Sequence, residues 1–122
     1  MATQEITAAD DLEALLSQMP DRPVLVMFKA DWCRVCMVLR GQIEEMMRTA
    51  GRPGQLALVD VERLAAVAHH YDIRHLPTLI VFDHGHCVAR HVGHRPPEVM
   101  RHLLATALSG VSSSDDALSG PL

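Results

Sequence analysis

Residues 24–36 read VLVMFKADWCRVC, and this stretch decides the fold. Its first five residues are apolar at every position, which predicts a strand covered on both faces, as in a parallel sheet. From Cys33 to Ala50 the apolar positions follow a helical period instead. The apolar stripe of this helix is predicted to comprise Val35, Leu39, Ile43, Met46 and Met47. The sequence therefore predicts a buried strand that leads into a long amphipathic helix, with a cysteine pair where the two meet.

The segments on either side of this stretch predict an α/β protein. Residues 1–7 have the composition of a short polar lead, and the apolar residues of 12–19 then recur at helical spacing. Downstream, the patterns predict strands at 56–61, 78–82 and 87–92, a short helix over 64–70, and a last helix that opens at 96–97 and runs to 108. The order of elements predicts one domain over residues 1–108, a central mixed sheet flanked by helices on both faces. The small polar residues of 109–122 predict a mobile tail.

Composition bounds the class of protein. The chain has 122 residues, of which 48% are hydrophobic and 21% are charged, an ordinary balance for one small domain. A net charge of −4 and 3% aromatic residues exclude general nucleic-acid binding, which requires a basic surface and stacking side chains. No apolar run is long enough to span a bilayer, and the first residues lack the pattern of a signal peptide. We therefore expect a cytoplasmic protein without a membrane partner, where paired cysteines indicate catalysis or metal binding.

Cys33 and Cys36 form a Cys-x-x-Cys pair at the predicted start of the long helix. Since one helical turn separates the two residues, their sulfurs lie within reach of a disulfide. Cys33 would face the unpaired N–H groups and the positive end of the helix dipole, and Arg34 adds a positive charge; all of these stabilise a thiolate. Cys36 would lie one turn inward, where it can close the disulfide after a mixed disulfide forms. The pair therefore predicts thiol–disulfide exchange, with Cys33 attacking and Cys36 resolving.

Two other interpretations of the cysteine pair stay open at this point. Cys-x-x-Cys is also half of a zinc site, which histidines could complete, and a pair of inert cysteines is the third possibility. The run His84-x-His86-Cys87 could bind a soft metal, but on a strand His84 and His86 share a face while Cys87 points away. We therefore predict no metal site. Cys87 is predicted to be a small buried residue, with a regulatory thiol as the alternative.

The chain resembles the thioredoxin family in two motifs that stand in the family's order and at its spacing. Residues 24–36 are similar to a strand followed by A-x-W-C-x-x-C, and residues 71–78, YDIRHLPT, look like Y-x-I-R-x-I-P-T. Asp83-His84-Gly85 stands at the position of the family's hairpin turn, and Val92-Gly93 matches a V-G before the last helix. The resemblance covers residues 4–108 and implies a thioredoxin fold, βαβαββα.

The resemblance also implies roles for individual residues. Pro77 would be a cis-proline that faces the cysteines, and the backbone of Leu76 would pair with an extended substrate segment. Gly93 would let a substrate chain approach closely, and Trp32 would pack beside the disulfide. The implied activity is that of a thioredoxin-type protein-disulfide reductase. It would need no cofactor, act on protein disulfides and receive its electrons from a reductase partner.

Two departures from the family pattern concern the chemistry. Arg34-Val35 replaces the usual Gly-Pro between the cysteines, which predicts a more oxidising couple because Arg34 favours the reduced thiolate. The family's buried acid and its lysine partner correspond to Met27 and Leu58, so the usual base is absent. His75 is the candidate for proton transfer in its place, because an ordinary histidine pKa of about 6.5 suits this step; a surface loop histidine is the alternative.

The residues around the cysteines predict a surface for partners. Trp32, Val35 and Met37 would form an apolar collar around the cysteines, and Arg34 is a further candidate for substrate binding. The leading prediction is a monomeric enzyme that exchanges disulfides with protein substrates through Cys33 and Cys36. The alternative is a thioredoxin-fold redox adaptor or chaperone with weak turnover, because the buried acid–lysine pair is missing.

Overall fold

A five-stranded mixed sheet organises the chain, and the apolar run of residues 24–28 lies in its central strand. The computed structural model describes residues 2–18, 23–49, 55–94, 98–99 and 101–102. In chain order the elements are β1 (Ala2–Glu5), α1 (Ala9–Gln18), β2 (Val24–Lys29), α2 (Arg34–Thr49), β3 (Gln55–Asp60), α3 (Ala65–His70), β4 (Thr78–Asp83) and β5 (His86–Val92). The strand order is β1-β3-β2-β4-β5, which places β2 in the middle of the sheet.

The pairing of the strands confirms the predicted mixed sheet. Strand β3 runs parallel to both β1 and β2, whereas β4 pairs antiparallel with β2 and with β5. The predicted hairpin is present, since β4 ends at Asp83 and β5 begins at His86. Between them His84 has a φ of 55° and Gly85 a φ of 78°. Positive φ values at both central positions match the twist of a tight two-residue hairpin turn.

Strand β2 is buried on both faces, as its sequence predicts. Leu25 and Met27 belong to an apolar cluster that α2 covers, and both are at most 1% exposed. Val26 and Phe28 point the other way into a second cluster, with residues of α1 and α3. Because successive side chains of a strand alternate between its faces, a run without polar residues fits only a strand covered on both sides. Helices therefore flank the sheet on both faces.

Helix α2 buries the predicted apolar stripe except at its first residue. Its buried face runs through Cys36, Leu39, Ile43 and Met47, each at most 2% exposed. Val35 is 45% exposed, so its predicted place in the apolar stripe is wrong. Since the stripe starts at Cys36, the preceding residue is turned by about 100° toward solvent. The first turn of the helix therefore buries Cys36 and leaves Val35 on the surface.

The first strand was not predicted from the sequence. Residues Ala2–Glu5 pair in parallel with β3, from Ala2 opposite Gln55 to Glu5 opposite Leu58. The prediction of a polar lead over residues 1–7 is therefore wrong. Strand β1 lies at the edge of the sheet, where backbone hydrogen bonds to β3 hold it, and its sequence carries no apolar alternation. The one large apolar residue near this strand is Ile6, which follows it and is 2% exposed.

The last predicted helix lies only partly within the described residues. Residues 98–99 and 101–102 are helical. The rest of that predicted helix, and the predicted tail over 109–122, lie outside the described residues. Among the helices of the described ranges, none combines the length and the apolar character that crossing a membrane requires.

Candidate active site

Cys33 and Cys36 are joined by a disulfide at the start of helix α2. Their Cα atoms are 5.3 Å apart, within the usual range for a disulfide. The loop that follows β2 brings them there: the Cys33 N–H donates to the Ala30 carbonyl oxygen at 3.0 Å, and the helix begins at Arg34. The two sulfurs therefore lie where the sequence predicts them, at the end of the central strand.

The surroundings of the two cysteines differ. Both belong to the apolar core, but Cys33 is 6% exposed whereas Cys36 is 1% exposed. The backbone N–H of Cys36 donates to Sγ of Cys33 at 3.2 Å. An N–H from the first turn of a helix is the kind of donor that stabilises a thiolate when the disulfide opens. Cys33 thus accepts a hydrogen bond at its sulfur, and Cys36 is the better shielded of the two cysteines.

A second segment of the predicted site lies just before β4. The Leu76–Pro77 peptide bond is cis, and Leu76 packs against the apolar cluster that contains both cysteines. Thr78, the next residue, pairs with Phe28 of β2, just before the loop that leads to the cysteines. The Gly93 N–H donates to the Pro77 carbonyl oxygen at 2.8 Å, and Gly93 has a φ of 83°, which favours glycine. The tertiary fold therefore brings residues 76–77 and 93 together, with Leu76 against the cluster to which both cysteines belong.

The predicted apolar collar is exposed. Trp32 is 68% exposed, Met37 66% and Val35 45%, and the neighbouring Val38 is 50% exposed. Arg34 is also exposed. The Trp32 indole Nε1–H donates to a carboxylate oxygen of Glu62 at 3.0 Å, which fixes one edge of the ring. An exposed group of large apolar side chains of this kind is typical of a surface that contacts other molecules.

Behind Cys36 lies a cavity that the sequence did not predict. Its volume is about 320 Å³, enough for several water molecules. Buried apolar residues, Met27 and Leu58, line one part of it, and each is 1% exposed. The complete lining consists of Met27, Lys29, Ala30, Asp31, Cys36, Met37, Arg40 and Leu58. The shielded cysteine therefore opens on a space that also contains charged groups.

Lys29 is the best-shielded charge of this lining, with a side chain that is 13% exposed. Its Nζ lies 3.1 Å from a carboxylate oxygen of Glu5, 3.3 Å from one of Asp31 and 3.8 Å from one of Asp60. Burial by itself would lower the pKa of Lys29, but hydrogen bonds and Coulomb attraction from Glu5 and Asp31 outweigh it and raise the pKa. Lys29 is therefore a stable cation at neutral pH.

Asp60 supports this group of charges from strand β3. The residue is 2% exposed and pairs in register with Lys29 of β2. One of its carboxylate oxygens accepts the backbone N–H groups of Glu62 and Arg63, at 2.8 and 3.1 Å. Burial would raise the pKa of Asp60, but these N–H groups and the charges of Lys29 and Arg63 lower it below its usual value. The buried carboxylate is thus both hydrogen-bonded and paired.

The remaining sequence candidates lie elsewhere. His75 is exposed, and its carbonyl oxygen accepts a hydrogen bond from the Thr78 hydroxyl at 2.6 Å; its side chain does not line the cavity behind Cys36. Cys87 is an exposed residue of β5, so the prediction that it is buried is wrong: it lies on an edge strand. Its thiol is partly covered, and this burial raises the pKa of Cys87. Within the described part of the chain, no group of three or more His, Cys, Asp or Glu could hold a metal ion.

Comparisons with known proteins agree with this arrangement. The sequence model of the thioredoxin family matches residues 3–106. The thioredoxin of Alicyclobacillus acidocaldarius subsp. acidocaldarius is 31% identical over 107 residues, which are 88% of this chain and 99% of that protein. The chloroplastic thioredoxin Y of Oryza sativa subsp. japonica is 31% identical over 93 residues, 76% of this chain and 55% of that longer protein. The crystal structure of the reduced Schistosoma mansoni thioredoxin pre-protein superposes with a TM-score of 0.75 at 28% identity, and the match covers 86% of this chain and 98% of that one.

Proposed function

The chain belongs to the thioredoxin family and is a thiol–disulfide oxidoreductase, and from this premise we propose that Cys33 attacks the substrate and Cys36 resolves the product. The observation that carries the proposal is the asymmetry of the pair. Sγ of Cys33 accepts the N–H of Cys36, and Cys33 is 6% exposed whereas Cys36 is 1% exposed. A thiolate that reacts with a large partner has to be reachable, and the helix start stabilises it.

The proposed reaction conserves atoms and electrons. The Cys33 thiolate attacks one sulfur of a substrate disulfide, a Cys33–substrate bond forms, and the other substrate sulfur leaves as a thiolate that takes up a proton. Cys36 then loses its proton and attacks the Cys33 sulfur, which releases the second substrate sulfur. The substrate is reduced by two electrons, and the protein gains the Cys33–Cys36 disulfide. A dithiol reductant or a reductase has to reopen this disulfide before the next cycle.

We propose that the substrate lies across the surface beside the disulfide. The exposed side chains of Trp32 and Val35 offer apolar contacts, and Arg34 adds a positive charge. The backbone of Leu76 next to Pro77 would pair with an extended segment of the substrate, as in strand addition. Gly93 would contribute a surface without a side chain, which allows the substrate backbone to approach.

Membership of the family indicates the kinds of partner. Thioredoxins reduce disulfides of other proteins and are themselves reduced by a thioredoxin reductase. For this chain we propose protein disulfides as substrates, a reductase as electron donor, and a monomer as the active form. We propose the cytoplasm as its compartment, because the exposed free thiol of Cys87 fits a reducing environment.

Reduction of insulin in the presence of dithiothreitol tests the proposal. The protein is expected to accelerate the precipitation of the insulin chains, and the double variant Cys33→Ser/Cys36→Ser is expected to lose the acceleration completely. The Cys33→Ser/Cys36→Ser variant leaves the collar in place, so it separates exchange from mere binding. If the wild-type protein and the double variant behaved alike, the chain would be the redox adaptor or chaperone that the missing acid–lysine pair suggests.

A further inference from the structure

The resolving step raises a question that the disulfide alone does not answer. Cys36 has to lose its proton before it can attack, because the thiolate is the nucleophile. Yet Cys36 is 1% exposed, and the two buried strand residues that line the same cavity, Met27 and Leu58, carry no group that accepts a proton. Burial in apolar surroundings disfavours a thiolate. Something in the structure has to offset that cost.

The cavity behind Cys36 contains a charged group that can offset the cost of the Cys36 thiolate. Its charged lining residues are Lys29, Asp31 and Arg40, two cations and one carboxylate. Arg40 is 46% exposed and pairs with Glu44 at 3.4 Å, and Asp31 is 63% exposed, so solvent screens both. Lys29 is 13% exposed, and a charge shielded from water acts over a greater distance than an exposed one. Lys29 therefore dominates the electrostatics of the cavity.

The groups around Lys29 keep the ammonium charged and in place. Glu5 on β1 and Asp60 on β3 contact it from two strands, and neither lines the cavity. Asp31 contacts it from the loop, and Arg63 in turn pairs with Asp31 at 3.1 Å and with Asp60 at 4.0 Å. Two carboxylates outside the cavity, Glu5 and Asp60, and one in its lining, Asp31, thus hold the charge beside the space that Cys36 shares.

We propose that Lys29 is a positioning residue of the resolving step: its ammonium stabilises the Cys36 thiolate across the cavity, whose water carries the Cys36 proton to solvent. The thiolate then forms the bond to the Cys33 sulfur as the Cys33–substrate bond breaks, and the released substrate thiolate takes up a proton. The inference rests on the proposed function, since it assumes that Cys36 resolves.

The two steps can be timed separately with a small aromatic disulfide, dithiobis(nitrobenzoate), whose released thiolate is coloured. In the reduced protein, attack by Cys33 releases the first coloured thiolate, and attack by Cys36 releases the second. All variants are made in a Cys87→Ser background, because Cys87 is a free, exposed thiol that would also react. The rate of the second release is measured across the pH range in which thiols titrate.

Lys29→Met is expected to slow the second release about tenfold at neutral pH and to move its inflection about one unit toward alkaline pH, since one unit corresponds to a factor of ten. The first release should stay as in the parent. Lys29→Arg keeps the cation and is expected to restore the parent profile. Asp31→Asn removes the negative charge from the lining and should move the inflection in the opposite direction.

Arg48→Met is the matched control, because it also removes one positive charge, but from an exposed position on α2 outside the lining. It is expected to leave both releases unchanged. If Lys29→Met destabilises the fold by leaving Asp60 without its partner, the double variant Lys29→Met/Asp60→Asn removes both charges and should show the same alkaline shift. His75→Ala is expected to keep the parent profile.

Three results would each overturn the role of Lys29. The first is a pH profile like the parent's in Lys29→Met or in the double variant, and the second is a shift in Lys29→Arg equal to that in Lys29→Met. The third is a flattened pH profile in His75→Ala. In all of these cases the second release still occurs, so the proposed function stands. Absence of the second release from the parent protein itself would instead show that Cys36 does not resolve, and the proposed function would fail together with the inference.

Discussion

Two regions of the molecule carry cysteines, and the surroundings of these cysteines differ in the features that govern thiol reactivity. The cysteine pair lies where β2 meets α2, with Cys33 6% and Cys36 1% exposed. Cys87 lies on the edge strand β5 and is the more exposed residue. Exposure alone would therefore assign the chemistry to the wrong cysteine.

The difference lies in what surrounds each sulfur. Sγ of Cys33 accepts an N–H from the first turn of a helix, at 3.2 Å, whereas the Sγ of Cys87 faces a carbonyl oxygen of Ala89 at 3.8 Å. Partial burial raises the pKa of Cys87, and the nearby Arg90 opposes this only in part. A thiol at a helix start, next to a second thiol and a cavity, thus has surroundings that favour exchange. A single thiol on an edge strand does not have them.

The largest effect is expected from separating the two cysteines of the pair. Cys33→Ser should lower insulin reduction by at least about a thousandfold, because it removes the nucleophile. Cys36→Ser should instead accumulate a covalent mixed disulfide with the substrate, visible by mass spectrometry and reversed by dithiothreitol. If both variants trapped substrate equally, the roles assigned to the two sulfurs would have to be exchanged.

The second largest effect is expected from the removal of Asp60, the buried carboxylate beside Lys29. Asp60→Ala should lower the free energy of unfolding by about 2 kcal/mol, because two backbone N–H groups lose a charged acceptor. Urea denaturation followed by circular dichroism measures the change. Glu45→Ala is the control, since Glu45 is an exposed carboxylate of α2 that pairs with Arg48 of the same helix. A loss equal to that of the control would mean that Asp60 does not support the site.

The same variant has a pH signature. The folded-state pKa of Asp60 is lowered, so the stability that Asp60 contributes is fully present above about pH 4, the usual range of an unfolded aspartate. It is lost as the pH falls through the lower, folded-state value. The difference in unfolding free energy between wild type and Asp60→Ala should therefore shrink on acidification. A difference that stayed constant down to the acid limit of the fold would contradict the lowered pKa.

A smaller effect is expected at the collar. Trp32→Ala should raise the KM for insulin by about tenfold, since an exposed aromatic ring that packs against a partner contributes about 1 to 2 kcal/mol. Trp32→Phe keeps the ring and loses the indole N–H to Glu62. It should therefore stay close to wild type in steady-state assays. An unchanged KM in Trp32→Ala would remove the ring from the substrate surface.

The smallest effect is expected at Cys87, the cysteine of the edge strand. Cys87→Ser should leave insulin reduction within about twofold of wild type and the unfolding free energy within about 0.5 kcal/mol, as for most surface substitutions. Oxidation with peroxide sharpens the test. If the activity of wild type but not of Cys87→Ser fell after mild oxidation and returned with a reductant, Cys87 would be the regulatory thiol that the sequence left open.

Much of the architecture could be predicted from the sequence because its signal is local. The uninterrupted apolar run of β2, the breaker before β4 and the turn at residues 83–86 each leave a pattern that needs no partner to interpret. Strand β1 left no such pattern, since its four residues are held by pairing with β3. The stripe of α2 was predicted correctly from Leu39 onward, but at its start Cys36 is buried in place of Val35, which only the packing of the first turn against the sheet decides.

The sequence by itself determined that two thiols stand one helical turn apart after a buried strand, since spacing along a chain fixes distances over one turn. Only the tertiary structure decided which charges accompany them. Lys29 and Asp60 are neighbours because two parallel strands end side by side, and the cavity behind Cys36 exists because a helix covers those strands without filling the space. Such contacts join residues far apart in the chain, so no local pattern records them.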